Sequence, residues 1–452
     1  MPVAKPIVAA HVDLKGFPPV CERLLRILDL IAAAEYTAVV LEWEDMFPWR
    51  VDKRFRCETA YTEEEIARIH ARALERGLDL IPLAQSIGHM ETPLRLADYA
   101  HLREVPDESG SLNPLAPGAR ELVEAMMDDV LSHSPVVRYF HLGGDESWGF
   151  GTHPDTKRYV QEHGAGALYL HHMEPLLRKL AARGIRPILW HDMMIDWDDD
   201  SLRHIGELAD ICVWGYHDHP DATTKHCATK YIERFVRNGV PLWAGGAYRC
   251  NEAGPLPHPS SQDVPDRKVR YENAQAWIEV AARYSFVGMM ATGWGRTSAD
   301  CAQSVPMDGG LDTLVGLGLA FSRGALLSED EIRAVLERCG ELERSARVSG
   351  ALRRMSVQRA AAWSTLSNIE EMLVTVRMDP RRRGSRTLPL RVAALGKQVA
   401  SLKAAADDFS NACADGTPAI WRERYIAERL QPLQRAHERL AKECPRYYRY
   451  EG

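Results

Sequence analysis

From residue 7 to about residue 325, short apolar runs alternate with stretches whose apolar positions recur at helical spacing. The short runs read as strands and the periodic stretches as amphipathic helices, a pattern that predicts βαβ units around a parallel sheet. The first run, Ile7-Val8-Ala9-Ala10-His11-Val12-Asp13, is closed by Lys15-Gly16; Leu24, Leu25, Ile27, Leu28 and Ile31 then mark a helix. Further runs are Thr37–Glu42, Leu80–Ala84, Tyr139–Leu142, Arg186–Trp190, Asp210–Trp214, Pro241–Ala244 and Phe286–Ala291. Thr62 and Glu65 have the spacing of a capping box at the start of the second helix. Eight strands, each followed by a helix, make the count of an α/β (β/α)8 TIM barrel. No Gly-rich phosphate loop follows the first strand, which weakens the alternative of an open doubly wound sheet.

Beyond that point the strands stop. The helical runs 329–347, 351–378, 388–411 and 419–443 are rich in Ala, Leu, Arg and Glu, so the expected division is a catalytic barrel over 1–325 and an α-helical C-terminal domain over 326–452. Val392, Leu395, Val399 and Leu402 step by 3, 4 and 3, a short coiled-coil-like seam. Such a region packs on the barrel or on a second subunit, which makes a homodimer through these helices one expectation. Asp379-Pro380 and Asp415-Gly416-Thr417-Pro418 mark its turns.

Composition narrows the function classes. An apolar content of 45% in 452 residues is ample for a large core, and no apolar run is long enough to span a membrane. A net charge of −7 argues against nucleic acid as partner; the basic run Arg381-Arg382-Arg383 reads as a solvated turn. The chain enters its first strand at Ile7 with no charged leader and apolar stretch before it, and its nine cysteines form no CxxC pair. A cytoplasmic protein with reduced thiols and no cofactor is the expectation.

The chemistry collects at the strand ends. Asp13, Glu44, His89, Asp145 with Glu146, Asp192, Tyr216, Tyr248, and Trp294 with Arg296 all lie there, as do Trp43, Trp190 and Trp214. In a closed barrel these ends converge on one mouth, giving an aromatic-walled, carboxylate-rich pocket. The most pronounced stretch is Tyr139-Phe140-His141-Leu142-Gly143-Gly144-Asp145-Glu146-Ser147-Trp148, a strand that runs through two glycines into adjacent acids. Two neighbouring carboxyls beside a Trp suit acid catalysis on a sugar. The plainer alternative is a strand-end Asp-Glu that caps the next helix.

His141-Leu142-Gly143-Gly144-Asp145-Glu146 resembles the H-x-G-G-D-E signature of family 20 glycoside hydrolases, the β-N-acetylhexosaminidases. His11-Val12-Asp13-Leu14-Lys15-Gly16, Glu42-Trp43-Glu44-Asp45-Met46-Phe47-Pro48, Gly88-His89-Met90-Glu91 and Thr292-Gly293-Trp294-Gly295-Arg296 resemble its hexosaminidase D branch. The resemblance runs from residue 7 to about 306 and says little about the helical tail. It implies retaining exo-hydrolysis of terminal β-linked GlcNAc or GalNAc, with an oligosaccharide or smaller glycoside as partner and the substrate's acetamido oxygen as nucleophile. By the same resemblance Glu146 is the general acid and base, its pKa raised by burial and by Asp145. Asp145 orients the acetamido N–H, and Tyr216 binds the acetamido oxygen. Trp190, Trp214 and Trp294 would wall the sugar; Asp13, Lys15, Glu44, His89, His141, Asp192 and Arg296 are the remaining substrate-binding candidates.

The chain departs from the branch at Thr297-Ser298-Ala299-Asp300 and at Gln303, where a neutral residue stands for a sugar-binding carboxylate, and at Ser147-Trp148-Gly149-Phe150. The altered loop after the eighth strand motivates a second reading, a sugar-binding barrel that has lost catalysis. A third, a metal-dependent hydrolase using His89, His141, Asp145, Glu146 and His191, has little sequence support. None of those histidines belongs to an HxH or HExxH pair, so no metal is expected.

Overall fold

The computed structural model describes residues 6–134, 136–250, 262–296, 301–382 and 386–448. Eight parallel strands close into one barrel in chain order: β1 (Ile7–Asp13), β2 (Ala38–Glu42), β3 (Asp79–Leu83), β4 (Tyr139–His141), β5 (Arg186–Trp190), β6 (Asp210–Trp214), β7 (Leu242–Arg249) and β8 (Gly288–Gly293). β1 completes the ring on β8, with Ile7 opposite Gly288 and Ala10 opposite Ala291. The TIM barrel expected from the sequence is the fold.

The two-residue period of a strand sorts these runs into two cores. Ala9, Ala38, Val40, Ile81, Leu83, Ile188, Trp190, Cys212, Trp243 and Met290 fill the barrel interior. Their neighbours Val8, Ala10, Val39, Leu41, Leu80, Phe140, Leu189, Ile211, Val213 and Met289 face outward into the core shared with the surrounding helices. The same alternation carries His11, Glu42, His141 and Trp214 to the axis at the carboxyl ends of their strands.

The second helix, Glu63–Glu75, starts on the expected capping box of Thr62 and Glu65. β7 is longer than its apolar run: it continues through Gly245-Gly246 to Arg249. A Cβ at Gly245 would lie 3.0 Å from Trp214 Cβ, and one at Gly246 3.1 Å from Asn273 Oδ1. These glycines therefore admit close neighbours within a strand and do not end it.

After the helix Leu311–Arg323 the described elements are helical: Glu329–Arg338, Leu342–Met378, Thr387–Ala412, Ala419–Glu443 and Pro445–Tyr448, with one short 3-10 turn at Pro380–Arg382. The break expected at 348–350 falls instead at 339–341. Gly340 adopts a left-handed φ of 68°, the usual way for a helix to end, whereas Gly350 stays inside the long helix. Val392, Leu395, Val399 and Leu402 are buried in a second core that also takes in Phe17 and Val264 from barrel loops, so the seam is used inside this chain. No helix among the described residues is long and apolar enough to cross a membrane. The nine cysteines are free thiols.

Candidate active site

A buried polar layer tops the barrel interior. Glu42 accepts from Lys15 Nζ at 2.6 Å and Gln85 Nε2 at 2.9 Å, and its other oxygen lies 2.9 Å from His11 Nε2. Burial alone would raise the Glu42 carboxyl; the Lys15 ammonium and the His11 contact hold it well below the usual carboxylate range. Beside this layer, His141 accepts the Gly143 N–H on Nδ1 at 3.0 Å, and its ring lies 4.2 Å from that of Trp190. Burial pushes His141 down to about 3, so the imidazole is neutral. His141 and Trp190 are both fully buried and form the floor under the site.

The acid pair stands on backbone that has left the strand. β4 ends at His141, then Gly143 (φ 59°), Gly144 (φ 87°) and Glu146 (φ 45°) take left-handed conformations. The glycines are also needed for space: a Cβ at Gly143 would lie 2.0 Å from Gln85 Oε1, and one at Gly144 2.1 Å from the Tyr169 hydroxyl. This bend cancels strand alternation, and both carboxylates reach one imidazole. His89 Nε2 lies 3.6 Å from Asp145 Oδ2 and 3.4 Å from Glu146 Oε2. Burial opposes a charge on His89, but Asp145 and then Glu146 outweigh it and raise the imidazole well above its ordinary value. His89 is itself left-handed, at φ 52°, as is Glu44 at 48°; such strain in non-glycine residues gathers at functional sites.

The pair is unequal. Asp145 keeps only 7% of its side chain exposed, and its Oδ1 is buried with no hydrogen-bond partner. Glu146, expected to be the buried one, keeps 29% exposed toward the mouth. Asp192 is half-buried and works from behind. Its Oδ2 accepts the Glu146 main-chain N–H at 2.9 Å, and its Oδ1 accepts Trp214 Nε1 at 3.1 Å. Burial, with the Asp145 charge added, pushes Asp192 up to about 7 against those two donors.

In front of the pair opens a cavity of about 230 Å³. Among the sequence candidates, Lys15, His89, Asp145, Glu146, Trp214, Tyr216, Trp294 and Arg296 line it. Tyr216 stacks on Trp214 at 5.2 Å and 20°, and lies 6.2 Å from Trp294; the Lys15 ammonium is 5.4 Å from the Trp294 ring. His217 and Cys250 also line the cavity and were not singled out from the sequence, although His217 directly follows the marked Tyr216 and Cys250 lies two residues beyond the marked Tyr248. Trp148 stands 80% exposed outside the cavity lining.

Five candidates sit away from that lining. Besides His141, Trp190 and Asp192, Asp13 is committed to the backbone: its oxygens accept Lys15 N–H at 2.9 Å and Gly295 N–H at 2.6 Å, tying β1 to the chain after β8. Glu44 lines a smaller adjoining recess of about 70 Å³ with Lys15, His89 and Arg296. Burial pushes its carboxyl up to about 8 against the pull of Lys15, with Glu42, Glu91 and Asp13 adding to the rise. Gln303 is buried outside the cavity lining, and Thr297–Asp300 lie outside the described residues. His89, Asp145 and Glu146 also form the cluster among the described residues whose ligand atoms, all within 4.8 Å of one another, could hold a metal. His191 is apart from it, with Nε2 3.1 Å from the His226 carbonyl.

A family model described as glycosyl hydrolase family 20, catalytic domain, matches residues 41–231, from β2 to beyond β6. The chain is 32% identical to hexosaminidase D of Homo sapiens over 338 residues, covering 72% of this chain and 67% of that protein. It is likewise 32% identical to hexosaminidase D of Bos taurus over 297 residues, 63% of this chain and 83% of that one. Among solved structures, a β-N-acetylhexosaminidase from Bacteroides fragilis superposes with a TM-score of 0.52 at 15% identity, over 75% of this chain and 71% of that one; that likeness is one of fold.

Proposed function

This chain belongs to glycosyl hydrolase family 20, and on that premise we propose that it is a retaining exo-β-N-acetylhexosaminidase acting by substrate-assisted catalysis. The observation that carries the reading is the unequal acid pair on one imidazole, at the wall of an aromatic cavity.

The terminal N-acetylhexosamine occupies the cavity with its acetamido group toward Asp145, whose buried Oδ1 is an acceptor suited to the acetamido N–H. Tyr216 donates to the acetamido oxygen, and Trp214 and Trp294 pack against the sugar. The acetamido oxygen attacks C1 as the glycosidic C–O bond breaks, forming an oxazolinium ion. Glu146, on the open side, gives its proton to the leaving oxygen. The resulting carboxylate is stabilised by the His89 imidazolium and then takes a proton from the water that reopens the ring at C1. Two inversions leave the anomeric configuration retained. An internal nucleophile held in place raises the rate by several powers of ten.

Residues 1–325 form the catalytic unit in this proposal and 326–452 a helical one, and the free cysteines suit the cytoplasmic location expected from the sequence. The test is a panel of aryl β-glycosides of GlcNAc, GalNAc, glucose and galactose. Turnover of the two acetamido sugars, and inhibition by a thiazoline mimic of the oxazoline, is the expected result. Equal turnover of sugars without the acetamido group overturns substrate assistance; binding of N-acetylhexosamine without any turnover favours the binding barrel.

A further inference from the structure

Two consecutive residues of the helix Ala419–Glu443 hold both backbone polar groups of one residue in the barrel. The Gln303 N–H donates to Glu428 Oε2 at 3.0 Å, and the Gln303 carbonyl accepts from Arg429 Nη2 at 2.8 Å. A grip on both groups of one residue fixes its height and its rotation, whatever side chain it carries.

Arg429 does more than join two bodies. Its Nε donates to Asp263 Oδ1 at 2.5 Å, its Nη1 to the Tyr425 carbonyl at 3.2 Å, and its guanidinium lies 3.4 Å from the Tyr425 ring. Asp263 lies between β7 and the helix Arg267–Tyr284 and is fully buried; Tyr425 Oη and Ser356 Oγ each donate to it at 2.7 Å, with Arg359 Nη1 at 3.2 Å. For cohesion alone, that ion pair would suffice. The further bonds run to the main chain after β8, so one buried cation ties the connection after β7 to the connection after β8.

From Gln303 the restraint reaches the cavity in one step. The Ser304 N–H donates to the Gly295 carbonyl at 2.9 Å, and Ser304 Oγ donates to the Trp294 carbonyl. Trp294 and Arg296, on either side of Gly295, line the catalytic cavity. We infer that Glu428 and Arg429 are positioning residues of the hydrolytic site: the C-terminal helices set the placement of Trp294 and Arg296 by holding the main chain at Gln303. The inference rests on the hydrolase reading above.

The experiment uses the full chain carrying Glu428→Ala, Glu428→Gln or Arg429→Lys. Glu428 has 32% of its side chain exposed, so its removal spares the fold more readily than loss of the buried Arg429. Three quantities are read: kcat and KM on an aryl N-acetyl-β-hexosaminide, the thermal midpoint, and amide hydrogen exchange in the peptide spanning Trp294 to Val305. Glu428→Ala should lower kcat/KM by about tenfold, since small misplacements of substrate-positioning groups are costly, with the midpoint little changed. Exchange at Gln303 should rise. Glu428→Gln, which keeps an acceptor, should restore most of both. Arg429→Lys, which cannot serve Asp263 and the Gln303 carbonyl together, should repeat the loss. Unchanged kinetics in Glu428→Ala overturns the inference even if exchange rises, because the contact is then merely cohesive; unchanged exchange also overturns it. If the wild-type chain turns over none of these substrates, the hydrolase reading fails by itself, and the exchange arm still decides whether the grip exists.

Discussion

The main-chain N–H of Glu146 donates to Asp192 Oδ2 at 2.9 Å, so the proposed proton donor after β4 is held by a carboxylate after β5. The same Asp192 receives the indole N–H of Trp214, after β6. Three successive strand ends are thus locked around the acid, and its side chain is left to face the mouth.

Replacing Glu146 by Gln keeps that backbone tie and removes only the proton. Turnover of an aryl N-acetyl-β-hexosaminide should fall by about a thousandfold, in the usual range for loss of a general acid, with the thermal midpoint unchanged. Release of the aryl chromophore measures it; a variant as active as the parent would remove Glu146 from the mechanism.

Tyr216→Phe leaves the ring stacked on Trp214 and deletes one donor. If that hydroxyl steadies the acetamido oxygen as it attacks, kcat should drop by about ten- to a hundredfold with a smaller change in KM, as for an interaction made mainly in the transition state. A rise in KM alone would assign Tyr216 to ground-state binding instead.

Asp192 also gives stability a pH dependence. Its folded pKa, about 7, is raised above the unfolded value of a carboxyl near 4, so the folded protein keeps a proton that the unfolded chain releases. The resulting stabilisation is complete below about pH 4 and is lost as pH rises through about 7. Thermal midpoints between pH 4 and 8 at fixed ionic strength should therefore fall less steeply for Asp192→Asn than for the parent. Parallel curves would show that Asp192 does not titrate in this window.

Gly88 abuts the acid pair from the other side: a Cβ there would lie 1.8 Å from the Asp145 carbonyl oxygen. Gly88→Ala should cost about 2–3 kcal/mol, the upper part of the range for overpacking a buried site, and should displace His89 and Asp145 together. Urea midpoints test the first consequence and kcat the second. Native values of both would mean that this loop yields easily.

The barrel was legible because its strands carry their own pattern. Ala38, Val40 and Glu42 point in while Val39 and Leu41 point out, a division that needs no knowledge of distant neighbours. The acid pair was legible for a similar reason: two glycines ahead of two acids mark a bend as well as a chemistry. Asp13 and Asp192 were legible as strand-end acids but not as the backbone acceptors they are, because residue type does not reveal whether a carboxylate turns toward a cavity or toward a neighbouring loop. The joint of Asp263, Gln303 and Arg429 was invisible in the sequence. Its partners lie 126 and 166 positions apart along the chain, and only the packing of the C-terminal helices on the barrel brings them together.

That joint bears on how the site can change over generations. Because Glu428 and Arg429 hold peptide groups at position 303, a new side chain there leaves their hold intact. Such an arrangement makes the course of the main chain at the mouth independent of the side chain at 303. Exchange of the Gln303 side chain, which is buried outside the cavity lining, should leave the wall that bears Trp294 in place as long as the bonds to its peptide groups persist.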